Sequence, residues 1–194
     1  MSRATTSAVA ARPRQAGVVN AANALTFLRL ALVPLFVWQL FEGGFWWRVA
    51  AFSTFMIASA TDRIDGELAR RRGLVTDFGK IADPIADKAL IGSALVGLSV
   101  LHELAWPVTL VILGRELGVT VLRLSVLRHG VIPASRGGKA KTVLQVFAIG
   151  AYVLPLNWPT GRVLLMGAAV IVTVVTGLDY AVRAWRLRRI GDGT

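Results

Sequence analysis

Asp62, Asp65, Asp83 and Asp87 are four carboxylates set into one of the most apolar stretches of the chain. They stand in the frame Asp62-x2-Asp65-Gly66-x2-Ala69-Arg70-x8-Gly79-x3-Asp83-x3-Asp87. An aspartate at the centre of a membrane helix costs roughly 2.5–3.5 kcal/mol on an insertion scale. Four of them are hard to retain unless they face a polar cavity and share a strong counter-charge. Asp62 and Asp65 lie three residues apart and Asp83 and Asp87 four, so on helices each pair points to one face. Two such faces brought together describe a divalent-metal site, and an all-oxygen donor set favours Mg²⁺ or Mn²⁺ over zinc. Gly66 and Gly79 leave room at the same level for a ligand or a close helix approach. Pro84 removes a backbone donor beside the site and is expected to kink its helix. The plainer explanation is a set of interfacial acids balancing Arg63, Arg70 to Arg72, Lys80 and Lys88. It serves for one or two carboxylates, and poorly for four at helical spacing.

A second polar constellation follows. Arg115-Glu116 lies in the apolar run from Val108 to Leu124, and Arg123 stands eight residues beyond Arg115, on much the same helix face. Then comes Ser135-Arg136-Gly137-Gly138-Lys139-Ala140-Lys141-Thr142, leading into Gln145. A basic, glycine-containing loop at a helix start suits a free phosphate. The competing explanations are an ordinary cytoplasmic basic loop for Lys139 and Lys141, and a buried ion pair with Glu116 or another acid for Arg115.

These groups must be positioned by membrane helices. The chain has 194 residues, 55% hydrophobic and only 17% charged, with a mean hydropathy of +0.60. It has no cysteine, which excludes disulfides, thiolate metal sites and a Cys nucleophile. Apolar runs of the length that crosses a bilayer divide it into six spans. They cover about Leu25–Phe41, Trp46–Arg70, Lys80–Leu101, Trp106–Leu127, Thr142–Leu156 and Gly161–Trp185. The net charge of +11 is clustered at Arg3/Arg12/Arg14, Arg63 to Lys88, Arg123 to Lys141 and Arg183 to Arg189. That alternation is the positive-inside pattern, with both termini cytoplasmic, and it argues against nucleic acid as the partner of the basic charge.

Trp46, Trp47, Trp106 and Trp158 sit beside the short outward turns, where an interfacial aromatic belt belongs. Met1 to Arg14 lack the apolar segment of a secretion signal. Residues 1–16 read as a disordered basic tail, 17–187 as one membrane domain and 188–194 as a cytoplasmic tail. Gly17 to Ala24 reads equally as a surface segment or as an extension of the first helix. His102 and His129 fall at span ends and make no hydrolase triad, and no phosphate-binding Walker loop or dinucleotide fingerprint occurs.

The stretch from Asp62 to Asp87 resembles the signature of the CDP-alcohol phosphotransferases, membrane enzymes that make phospholipids from CDP-linked alcohols. Every fixed position is present at the family spacing. The resemblance implies an all-α integral membrane fold of six transmembrane helices, with a polar metal site at the cytoplasmic face of the cell membrane. It implies Asp62, Asp65 and Asp83 as ligands of Mg²⁺ or Mn²⁺ in a two-ion site, and Asp87 as the general base and a further ligand. It places Gly66, Arg70 and Thr76 against the CDP moiety. Thr26, in Asn23-x-Leu25-Thr26-x2-Arg29, belongs to the polar entry of the first helix and is assigned to the same CDP-lipid.

Gly114-Arg115-Glu116-Leu117, Gly138-Lys139-x-Lys141-Thr142-x2-Gln145 and Gly177-Leu178-Asp179-Tyr180 resemble the branch of the family whose acceptor is sn-glycerol 3-phosphate, although an Ala commonly stands where this chain has Gly114. The implied partners are CDP-diacylglycerol, sn-glycerol 3-phosphate and membrane lipids, with homodimers known in the family. Arg115, Arg123, Lys139 and Lys141 are then the candidates for the acceptor phosphate. Inositol phosphate or phosphatidylglycerol are the alternative acceptors. A cation transporter is the alternative of a different class, disfavoured because no inverted repeat is found. Asp179 is expected to be buried and paired with a basic residue rather than to bind metal.

Overall fold

A computed structural model describes the backbone of residues 21–72, 77–126 and 136–191, and side chains within 27–61, 85–122 and 140–186. The described residues form six helices and no strand: α1 (Ala21–Glu42), α2 (Phe45–Arg72), α3 (Asp77–Val100), α4 (Trp106–Val126), α5 (Arg136–Val153) and α6 (Pro159–Gly191). The tail expected over residues 1–16, Thr76 and His129 lie outside the described residues.

Local chemistry sets the turns. Gly43 and Gly44 adopt φ of 74° and 79°, a left-handed pair that closes the α1–α2 hairpin. At the end of α3 the NH of Glu103 donates to the carbonyl of Leu98 at 3.0 Å, and that of His102 to Ser99 at 3.1 Å. This is a Schellman cap, with exposed His102 in the position glycine usually takes, at φ 59°. Pro107 and Pro159 stand in the first turns of α4 and α6, where a missing NH costs nothing. α3 runs through Pro84 without interruption.

One apolar core draws on all six helices, including Phe36 and Leu40 of α1, Phe55 of α2, Leu95 and Leu98 of α3, Ile112 of α4, Ile149 of α5 and Met166 of α6. α1 packs on α2 and α3, α5 on α6, and α4 on α6. Small residues permit the closest approaches: a Cβ at Gly97 would stand 2.8 Å from Leu40 Cδ2, and one at Gly150 3.1 Å from Phe52 Cε2. Polar pairs link helices inside the bundle, Ser99 with Thr109 at 2.7 Å and Thr54 donating to Gln39 Oε1 at 2.7 Å. Large apolar side chains are also exposed along the outside of the bundle, among them Trp46, Leu110, Val121, Leu164, Ile171 and Leu178. By length and composition α6, over Pro159–Arg186, is long and apolar enough to cross a membrane, and Ala140–Val153 is a shorter apolar helix.

The expected spans fall on the six helices with shifted ends. The largest shifts are at the end of α6, which runs to Gly191 and not Trp185, and at the start of α5, which begins at Arg136 and not at Thr142, so the expected basic loop is helical from Arg136 on. Gly137 and Gly138 each disfavour a helix by about 1 kcal/mol relative to alanine. Tertiary contact overrides that propensity, for Lys141 packs back against α4 with 5% exposure. α1 begins at Ala21, so residues 21–24 extend the first helix. His102→Gly should stabilise the protein by about 1 kcal/mol by relieving the left-handed backbone, whereas His102→Val should destabilise it. Thermal unfolding in detergent measures both.

Candidate active site

Three helices contribute to one cavity of about 150 Å³, lined by Asp87, Lys88 and Ile91 of α3, Leu113, Glu116 and Leu117 of α4, and Lys141, Thr142 and Gln145 of α5. The 3.6-residue repeat puts Asp87 and Ile91, Leu113 and Leu117, and Lys141 and Gln145 on successive turns of their own helices. Asp87 is half-buried there.

Polar links tie the walls together. Lys88 Nζ donates to Thr120 Oγ1 at 2.6 Å, and that hydroxyl donates to the carbonyl of Glu116 at 2.8 Å. Lys141 Nζ donates to Glu116 Oε1, which also accepts from Arg115 Nη1 at 3.3 Å. Arg115 Nη2 reaches Thr176 Oγ1 on α6 at 3.1 Å. The Arg115 side chain passes so close to α6 that a Cβ at Gly177 would stand 2.9 Å from its Cγ. Glu116 is thus a carboxylate shared by two cations, the arrangement in which buried charge is tolerated.

The candidate residues divide accordingly. Asp87 and Lys141 meet in the cavity, on α3 and α5. Arg115 is turned toward α6 and away from the lining, and it reaches the cavity only through Glu116. Asp62, Asp65, Gly66 and Arg70 lie on α2, Asp83 on α3, Arg123 on α4, Lys139 on α5 and Thr26 on α1, with side chains outside the described residues. α2 and α3 are in contact. The all-oxygen chemistry of aspartate is the kind that a hard divalent cation takes. Among the described residues no cluster of three or more acids or histidines gathers. Asp179 is exposed, not buried as expected, because α6 turns it outward; it pairs with Arg183 Nε at 3.0 Å. Arg29, from the entry of the first helix, is fully buried at 1% exposure.

Sequence reasoning did not single out Lys88, Glu116, Thr120, Gln145 or Thr176 as site residues. Their signal was present as spacing: Thr120 follows Glu116 by four residues, as Gln145 follows Lys141. Which acid would share which cation depended on helix docking.

Residues 19–175 match the family model described as CDP-alcohol phosphatidyltransferase. The chain belongs to that family. It is 54% identical to a "Probable phosphatidylglycerophosphate synthase" of Mycobacterium tuberculosis, over 98% of this chain and 97% of that protein. It is 39% identical to the "CDP-diacylglycerol--glycerol-3-phosphate 3-phosphatidyltransferase" of Bacillus subtilis, over 86% of this chain and 95% of that one. It is 36% identical to the protein of the same name from Rickettsia bellii, over 83% and 93%. The matched region contains the whole cavity lining.

The contact between Gly177 and Arg115 carries a stability prediction for this family member. Gly177→Val should destabilise it by about 1–3 kcal/mol by driving into the Arg115 side chain. Gly167→Ala, on the same helix in open space, should stabilise it by about 1 kcal/mol through helix propensity. Melting temperatures of the two variants in detergent should therefore move in opposite directions.

Proposed function

We propose that the protein transfers the phosphatidyl group of CDP-diacylglycerol to sn-glycerol 3-phosphate, releasing CMP and forming phosphatidylglycerophosphate. The observation that carries this reading is the cavity itself. It joins Asp87, the last acid of the CDP-alcohol frame, to Lys141 and Glu116 of the second constellation. A proton acceptor and a cation suited to a phosphate monoester therefore share one small space. The names of the relatives above point to the same two substrates.

In this reading the acceptor hydroxyl attacks the lipid-proximal phosphorus of CDP-diacylglycerol. The new bond joins that oxygen to phosphorus, the bond from phosphorus to the CMP oxygen breaks, and Asp87 takes the hydroxyl proton. Lys141 draws the acceptor's phosphate to the end of the cavity where Glu116 fixes the ammonium. Arg123 and Lys139, on α4 and α5, add positive charge for the same phosphate. Arg115 supports it indirectly, by holding Glu116. Arg70 offers a planar donor fork to the donor's diphosphate, with Gly66, Thr76 and Thr26 beside the CDP moiety. Mg²⁺ or Mn²⁺, as a pair held by Asp62, Asp65, Asp83 and Asp87, would neutralise charge on the diphosphate and make CMP a better leaving group.

The site belongs at a membrane face, because the donor's acyl chains can then stay in lipid while its cytidine occupies a polar cavity. Six spans with cytoplasmic termini account for the exposed apolar faces of the helices and for Trp46, Trp47, Trp106 and Trp158 beside the turns at one end. The Arg48–Glu103 ion pair, linking α2 to the α3–α4 turn at that end, would then lie on the outer side.

Asp87→Asn should keep the fold yet lose nearly all turnover, since an amide cannot take the proton. CMP release at saturating Mg²⁺ or Mn²⁺, measured beside thermal stability, checks this; near-normal turnover would remove Asp87 from the base role. Lys141→Gln should raise the apparent KM for sn-glycerol 3-phosphate by roughly tenfold or more, with a much smaller change in the KM for CDP-diacylglycerol. A two-substrate kinetic matrix reads both. Impaired use of the lipid with the acceptor KM spared would move Lys141 to the donor side. An acceptor panel including inositol phosphate tests the substrate itself, and a wild type that ignores sn-glycerol 3-phosphate would overturn it.

A further inference from the structure

Gln145 is 2% exposed, and its Nε2 has no hydrogen-bond partner among the described residues. It lies one helical turn beyond Lys141 on α5 and lines the same cavity as Asp87, Glu116 and Thr142. A buried polar group left without a partner costs about 1–3 kcal/mol, and an apolar side chain of similar volume would fill the space without that cost. Its neighbours in the lining are already engaged. Glu116 is held by Lys141 and Arg115, Lys88 donates to Thr120, and Asp87 and Thr142 each have an interaction of their own. Among the described lining residues, Gln145 Nε2 is the buried side-chain atom left without a hydrogen-bond partner. The terminal torsion of glutamine is broad, so either its amino group or its carbonyl can be turned to a ligand.

We infer that Gln145 is a specificity-determining residue that hydrogen-bonds the unreactive hydroxyl of the acceptor. This rests on the reading of sn-glycerol 3-phosphate as that acceptor. The molecule presents a phosphate and two hydroxyls. Its primary hydroxyl is the less hindered nucleophile and gives its proton to Asp87, while its phosphate is drawn to Lys141. The secondary hydroxyl, on the middle carbon, lies between these two ends and takes no part in bond making. A neutral hydroxyl both donates and accepts, and so does an amide, so the pairing satisfies both without adding charge to a cavity that already holds two acids and two lysines. An analogue without that hydroxyl would leave the amide buried and unpaired, which is how a site discriminates strongly against a missing polar group.

The test compares sn-glycerol 3-phosphate with 3-hydroxypropyl phosphate, which has the same length, phosphate and primary hydroxyl but no middle hydroxyl. CMP release from CDP-diacylglycerol in mixed micelles is measured for the full-length wild type and for Gln145→Met. The wild type should prefer sn-glycerol 3-phosphate by about 10- to 100-fold in kcat/KM. The variant should lose on sn-glycerol 3-phosphate and hold on the analogue, bringing the preference to within about threefold. A variant that slows on both substrates with the wild-type preference intact would assign Gln145 to packing or to support of Asp87, and the inference would fall while the proposed function stood. A wild type that uses both substrates equally well overturns it without recourse to any variant. A wild type that releases no CMP with sn-glycerol 3-phosphate overturns the function, and this inference with it.

Discussion

Glu116 Oε1 accepts from two cations: Lys141 of α5 in the cavity wall, and the adjacent Arg115, whose other terminal nitrogen reaches Thr176 on α6. Three helices are joined through one carboxylate. Removing one partner from a buried ion pair typically costs about 3–5 kcal/mol, because it strands the other charge. Each member of this set is therefore constrained by the next. Lys141 can stand 5% exposed because Glu116 is there, and Arg115 holds the same Glu116 oxygen. α3 joins through a milder link, from Lys88 to Thr120 to the carbonyl of Glu116.

That dependence is heightened by the surroundings in which we place the protein. In lipid, apolar helix faces gain little by meeting one another, so close packing and polar links between helices carry the association. The bundle uses both. Gly97 lets α3 approach Leu40 of α1, Gly150 lets α5 approach Phe52 of α2, and Gly177 gives Arg115 its passage along α6. The large side chains that a water-soluble bundle would turn inward are left outside on α4 and α6.

The cavity also separates two chemical tasks. Family membership rests on a region containing the four-aspartate frame on α2 and α3 and the α4–α5 pair that meets it. In the function we propose, the first would supply oxygen donors and a base, and the second cations. α3 belongs to both, since Asp87 and Lys88 are adjacent in sequence and face the same cavity. Attack on a diphosphate by a phosphorylated alcohol requires such a junction, with the proton acceptor close to the acceptor's hydroxyl and positive charge at its far end.

Much of this was legible in the chain. Six helices follow from the apolar runs, and the acid frame follows from spacing, because helical periodicity makes residues three or four apart share a face. The family also followed from spacing, since the frame of aspartates and glycines is highly specific. Periodicity could not say how far α5 extends, because Gly137 and Gly138 disfavour a helix that a contact 25 residues away in sequence, between Lys141 and Glu116, helps to hold. Nor could it say that Asp179 is exposed, or that Arg115 faces α6 while Lys141 faces the cavity. Gln145 lay in full view within a motif, yet what sets it apart is a partner it lacks. Sequence alone determined which residues share a face. Tertiary structure alone decided which faces meet, because the pairing of buried charges is settled by the docking of helices distant along the chain.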